Sequence, residues 1–429
     1  MEHSEQSIRS EASASAATFG HAWDRPYYPA SGEERCYLLV EANGGDERVA
    51  DRAPINVSLV LDRSASMTGL PLAYCKEACR FVVDRMNGND RLSLVAFDDR
   101  AETIIAPGPV RDKAELKRLI GQIDNGSRTN LGAGLIEGAN HVLRGKDEDP
   151  RAVNRVVVLS DGHANRGITS KLRLAEIAEE YGSSGISVSA MGVGDGFDEE
   201  LMETLSGHGN GNFYYMDTPE RIPVIFQKEL EGMLSVVADR MTLKLRPAEG
   251  VQVVGVRGYP VEYRAGAAQV RAGDLYGNEK KPILIELALG AREPGSHPVL
   301  TLDWTYRDLT RNGAASAYSC EVEATFTDDE SMLGMPGEPK VLREIAYTRS
   351  AVALESAIEA MDRGDAEEGR RVLREQADRL RSMSDVLDDP ELKDAAEMLR
   401  AGADSTAAYT NRARKELHER KVSFLRRRS

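Results

Sequence analysis

INVSLVLDRSASMTG, residues 55–69, runs seven mostly apolar residues straight into an aspartate followed by two serines on alternate positions. An apolar run without polar alternation reads as a strand buried on both faces, and such strands belong to parallel sheets covered by helices. The text downstream keeps to that plan. The runs PINVSLVL, RLSLVAF, NRVVVLS, ISVSAMGVG and NFYYM are separated by stretches of helical spacing. In the first of these, Leu72, Cys75, Cys79, Val83 and Met86 recur every three to four residues while Lys76, Glu77, Arg80 and Asp84 take the opposite face. Asp198 is placed to cap a later helix, with Phe197 packing on Met202. The alternating unit spans 54–238.

On either side the pattern changes. Residues 1–32 are rich in Ser, Ala and Glu without sustained periodicity and read as a flexible leader. From 239 to 328 the period is two, broken by Gly, Pro and Asn, as in an antiparallel β domain. The strand in 33–53, RCYLLVEAN, has no sheet of its own, so residues 34–43 are expected to pair with the strands of 239–328. That makes the α/β unit an insertion in a β-sandwich. Residues 329–337 read as a linker. Residues 338–429 are helical, with apolar stripes through Tyr347 to Met361, Leu373 to Leu387 and Leu392 to Leu417, hence three helices and a basic tail. Gly364 and Asp365 mark one helix boundary, and Asp389 with Pro390 the next.

Composition excludes several function classes. A formal net charge of −15 repels phosphate, so nucleic acid is not an expected partner. No run of about 18 apolar residues is present to span a bilayer. The first residues lack the basic and apolar regions of a secretory signal, and four scattered cysteines suit a reducing compartment, so a cytoplasmic location is expected.

The chemistry gathers where strands end, because open parallel sheets bind ligands beyond the carboxyl ends of their strands. Strand 55–62 delivers Asp62, Ser64 and Ser66; NRVVVLSDG delivers Asp161; the loop DNGSRTNLGAGL presents Thr129 at a helix start. Two carboxylates and three hydroxyls, with no imidazole or thiolate, suit a hard divalent cation, Mg²⁺ in the first place and Mn²⁺ or Ca²⁺ as alternatives. Five side chains leave the shell open for an oxygen from a partner. His163 reads as an exposed loop residue, and Asp98 and Asp99 as turn residues.

DRSAS, TNLGAGL and SDG, in this order on alternating strands and helices, resemble the metal-ion-dependent adhesion site of the von Willebrand factor type A family. The resemblance covers 54 to about 238 and implies a Rossmann-like, doubly wound, mainly parallel sheet of the α/β class. It also implies that Ser64, Ser66 and Thr129 coordinate the ion directly, that Asp62 and Asp161 act mainly through water, and that a partner Asp or Glu completes the shell. Ala65 stands where many relatives have glycine. The remainder is similar in layout to bacterial chains related to the inter-alpha-trypsin inhibitor heavy chain and calcium-activated chloride channel type. The reading is a noncatalytic, Mg²⁺-dependent protein-binding adaptor. Two alternatives are a co-factor subunit of an AAA ATPase of the MoxR or magnesium-chelatase kind, and a Mg²⁺-dependent hydrolase. No GxxxxGK[ST], HExxH or GxSxG motif supports the last.

Overall fold

A computed structural model describes residues 16–45, 53–161, 163–194, 197–216, 218, 221–405 and 410–425. The apolar strands form one six-stranded sheet. Its members are β4 (Ile55–Asp62), β5 (Arg91–Phe97), β6 (Ala101–Pro109), β7 (Val153–Ser160), β8 (Ser187–Val193) and β9 (Asn210–Met216), in the order β6-β5-β4-β7-β8-β9. Only the edge strand β6 runs antiparallel to its neighbour. Every residue of β4 and β7 is buried, as a sheet covered on both faces requires. One face carries α1 (Leu70–Arg85), α2 (Lys113–Gly121) and α6 (Arg221–Leu234), and the other α3 (Leu131–Gly145), α4 (Lys171–Ser183) and α5 (Glu199–His208). Cys75 and Cys79 lie in the first of these cores as buried free thiols.

Helix α3 lies unusually close to the sheet because two positions carry no Cβ. A Cβ on Gly134 would sit 2.5 Å from the Phe97 ring, and one on Gly138 2.3 Å from Val60 Cγ2. This close approach sets the helix start, where Thr129 precedes it, against the end of β4.

The flanking strands make two sheets packed face to face around a second core. One holds β1 (Ala17–Trp23), β3 (Glu34–Gly44), β14 (Lys280–Leu289) and β11 (Val251–Val256), in that order. The other runs β12 (Val261–Arg264), β13 (Ala267–Tyr276), β10 (Val236–Pro247), β15 (Gly295–Asp308), β16 (Ala314–Thr327) and β2 (Tyr28–Pro29). Strand β3 pairs antiparallel with β14, Val40 opposite Ile283, so the α/β unit is inserted in the sandwich.

Residues 16–32, expected to be part of a flexible leader, are instead built into it. Strand β1 covers the free edge of β3, and Phe19 stacks on Trp304 at 4.8 Å and on Tyr318 at 5.1 Å. Tyr28 is fully buried and donates to Asp24 at 2.7 Å. Residues 1–15 lie outside the described residues. Within the expected linker, Asp329 caps a single turn, α7 (Glu330–Leu333).

The C-terminal region comprises α8 (Pro339–Asp362), α9 (Ala366–Leu387), α10 (Pro390–Ser405) and α11 (Asn411–Leu425), where three helices were expected. The stripe from Leu392 to Leu417 is divided, and the Thr410 hydroxyl accepts from Ala413 N–H at 3.2 Å to start a new helix. Asp365 caps α9, and Asp389 accepts from Glu391 and Leu392 at the start of α10. Val341 and Ile345 of α8 pack on Leu39 and Leu284 of the sandwich.

The basic end is not a solvated tail where it is described. Lys421 pairs with Glu203 at 3.0 Å, Arg414 pairs with Glu199, and Lys415 Nζ lies 4.4 Å from the centre of the Phe197 ring. Helix α11 therefore docks on α5 through opposite charge. Residues 426–428 of the basic tail lie outside the described residues. Among the described residues, no helix is long and apolar enough to cross a membrane.

Candidate functional site

Strand β4 ends on Asp62, opposite Phe97 of β5 and beside β7. The carboxylate is fully buried, and both its oxygens are held by the chain. Oδ1 accepts the Ser64 N–H at 2.8 Å, which turns the backbone sharply after the strand, and Oδ2 accepts the Ser160 hydroxyl at 2.5 Å. The turn continues as a short 3-10 segment, Ala65–Met67, that brings the Ser64 and Ser66 hydroxyls to 3.1 Å of each other. Ser64 is buried and Ser66 exposed. Ala65 does not adopt a left-handed backbone, so its methyl replaces glycine without strain.

The second loop is stitched to the first. Ala65 N–H donates to Ser127 C=O at 3.0 Å and Gly126 N–H to Arg63 C=O at 2.7 Å. Thr129 follows, 1% exposed, with its N–H donated to Asn165 Oδ1 at 2.9 Å. Its carbonyl accepts from the N–H groups of Asn165 and Arg166, each at 3.1 Å. Those two residues belong to the loop that begins at Asp161. Asp161 is 5% exposed; its carboxylate takes the His163 N–H at 3.3 Å and its carbonyl the Asp198 N–H at 2.9 Å. Hydrogen bonds thus tie the loops bearing Asp62, Ser64, Ser66, Thr129 and Asp161 to one another at one end of the sheet. His163 itself is exposed.

The electrostatics are unbalanced. Burial pushes the Asp62 carboxyl up to about 6; the Ser160 and Ser64 hydrogen bonds oppose this, and the negative charge of Asp161 adds to it. Neither Asp62 nor Asp161 forms an ion pair with Lys, Arg or His among the described residues. Two nearly buried carboxylates without a counter-charge are costly, and a bound cation would relieve that cost. Among the described residues no three His, Cys, Asp or Glu side chains converge on one point, so a cation here would depend on hydroxyls and water as well as carboxylate.

Several residues that shape the site carried no motif. Asp98, read as a turn residue, pairs with Arg63 at 3.2 Å and accepts the Asn130 N–H at 2.8 Å through its carbonyl. Asp99 accepts the Ser127 hydroxyl at 2.6 Å. Ser160 had a weak signal, being a hydroxyl at the last position of a buried strand. Asn165 had none.

The sequence profile of the von Willebrand factor type A domain matches residues 56–228, the segment that builds this sheet and all three loops. Residues 56–228 are a von Willebrand factor type A domain. An uncharacterized protein of Synechocystis sp. is 26% identical over 346 residues, 77% of this chain and 80% of the relative. Uncharacterized protein YfbK of Escherichia coli is 25% identical over 273 residues, 61% of this chain; the match spans only 46% of that relative's length. A solved von Willebrand factor type A structure from Catenulispora acidiphila superimposes with a TM-score of 0.72 over 92% of this chain and 91% of its own, at 15% identity, and so shares the fold. Type A domains typically mediate metal-dependent protein interactions and commonly hold a divalent metal.

Proposed function

We propose that this protein is a noncatalytic adaptor in which the type A domain holds a divalent cation, Mg²⁺ in the first place, and offers it to a carboxylate of a protein partner. The observation that carries the reading is the pair Asp62 and Asp161, buried at the strand ends without a cationic partner among the described residues, beside two hydroxyls 3.1 Å apart. Asp62 already accepts two hydrogen bonds from the protein, which suits a carboxylate that acts on an ion through water. Ser64, Ser66 and Thr129 would supply direct oxygen ligands. The bound ion would contribute the positive charge that lets an incoming Asp or Glu approach two resident aspartates. The sandwich meets the domain at the other end of the sheet, where Arg307 of β15 donates to the Ala152 carbonyl just before β7, which leaves the loop end for a partner.

Calorimetric titration of Mg²⁺, Mn²⁺ and Ca²⁺ tests this, with thermal unfolding alongside. Saturable binding and a raised Tm are expected in wild type and not in a Ser64→Ala, Asp161→Ala variant. Equal binding by both proteins would remove the site from these residues.

A further inference from the structure

We propose that the type A site takes a protein segment bearing several carboxylates, with Arg128 and Arg166 binding the ones that do not reach the ion, an inference that rests on the cation reading above. The two arginines are fixed at the mouth of the site by the backbone. Arg128 immediately precedes Thr129, and the Arg166 N–H donates to the Thr129 carbonyl at 3.1 Å. Both residues are exposed, and neither guanidinium has a hydrogen-bond or ion-pair partner among the described residues.

Two other cations of the rim are already neutralised. Arg63 is held by Asp98 at 3.2 Å and Glu102 at 2.8 Å, and Lys171 by Asp198 at 3.0 Å and Glu200 at 2.6 Å. The nearby acids are likewise engaged: Asp99 accepts from Ser127, and Asp98 from Arg63. Exposed Asp124 lies at the far end of the Arg128 loop, just after α2. In a chain of net charge −15, two unpaired guanidiniums beside Thr129 make a local positive rim. A guanidinium presents a planar fork of donors that matches a carboxylate, so each is suited to bind one carboxylate of an acidic segment. A single Asp or Glu would leave both unused.

The probes are fluorescein-labelled hexaglutamate and a hexapeptide of Ser and Gly with one Glu, followed by anisotropy in Mg²⁺ buffer. Wild type is expected to bind hexaglutamate about tenfold more tightly, the sum of two exposed charge pairs, with the gap closing as salt is raised. An Arg128→Gln, Arg166→Gln variant is expected to reduce the gap to less than about twofold. It should not weaken Mg²⁺ binding by calorimetry, because removing positive charge beside a cation site favours the ion. Thermal unfolding of the variant confirms that it is folded. Equal affinity of the two peptides for wild type, or an unchanged gap in the variant, overturns the proposal. Repeating the assay in EDTA separates the two readings. Loss of both peptides supports the cation and the rim together; a gap that survives EDTA and still needs the arginines upholds the rim and overturns the cation reading alone.

Discussion

Arg155 is the sharpest place to perturb the molecule. It lies on β7 of the type A domain, its guanidinium fully buried, 2.7 Å from Glu229 of α6 and paired also with Asp274 of β13 in the sandwich. One cation thus joins the last helix of the type A domain to the neighbouring domain. Burial alone would raise the Glu229 carboxyl, but the Arg155 charge and the hydrogen bonds from Asn212, Ser189 and Arg155 hold it down at about 2. Arg155→Met removes the cation and strands two carboxylates, which costs about 3–5 kcal/mol. Glu229→Gln keeps most of the hydrogen-bonding shape and costs about 1–3 kcal/mol.

The acid dependence follows from the same carboxylate. Its folded value is about 2 against an ordinary 4.5. The stabilisation is therefore complete above the ordinary value and is lost as pH falls through the folded one, in all about 3 kcal/mol. Urea unfolding at neutral and acid pH measures both effects. Trp23 and Trp304 both sit in the sandwich, so fluorescence follows that domain while far-ultraviolet circular dichroism follows the whole chain. The two curves should coincide in wild type and separate in Arg155→Met, and Glu229→Gln should flatten the acid slope. A cost below about 1 kcal/mol for Arg155→Met, or an unchanged slope in Glu229→Gln, would refute the reasoning.

Three further outcomes are expected. With no metal bound, Asp62 keeps its proton in the folded protein up to about 6 while the unfolded chain releases it near 3.8. Stability of the metal-free form therefore falls by about 3 kcal/mol as pH rises through that window. Mg²⁺ must displace the same proton, so its affinity by calorimetry should drop by up to about tenfold per pH unit below the folded value; a flat profile would contradict this. Gly138→Ala should lower Tm: the added Cβ would stand 2.3 Å from Val60 Cγ2, and overpacking of about 1–3 kcal/mol exceeds the helix-propensity gain of about 1 kcal/mol. A raised Tm would mean that α3 can move off the sheet.

The α/β unit was legible because its order is local. Seven mostly apolar residues before Asp62 announce a strand buried on both faces, and the serines that follow are visible without any tertiary contact. The return of residues 34–43 to the distant β strands could be argued from an unpaired strand alone. What was missed depends on partners far along the chain. Residues 17–23 carry no strong pattern, and become a strand because β3 offers an open edge. Lys421 and Arg414 look like a solvated tail until Glu203 and Glu199 are brought beneath them. Asp98 looks like any turn residue until Arg63 and Asn130 close on it. Arg155 was a missed clue, since a charge in the apolar run NRVVVLS calls for a buried partner.

The insertion of the type A domain also dictates an order of assembly during synthesis. Strand β3 emerges from the ribosome early, yet β14, its hydrogen-bonding partner along Glu34–Gly44, follows only after residues 55–234 have been made. Until then one long edge of β3 stays open, which is the condition that invites aggregation. Folding of the inserted domain draws the two ends of that long loop together and removes most of the entropy cost of closing the sandwich. The domain that carries the site is thus the scaffold on which the rest of the chain completes itself, and a lesion in its core is expected to leave the newly made sandwich strands unpaired as well.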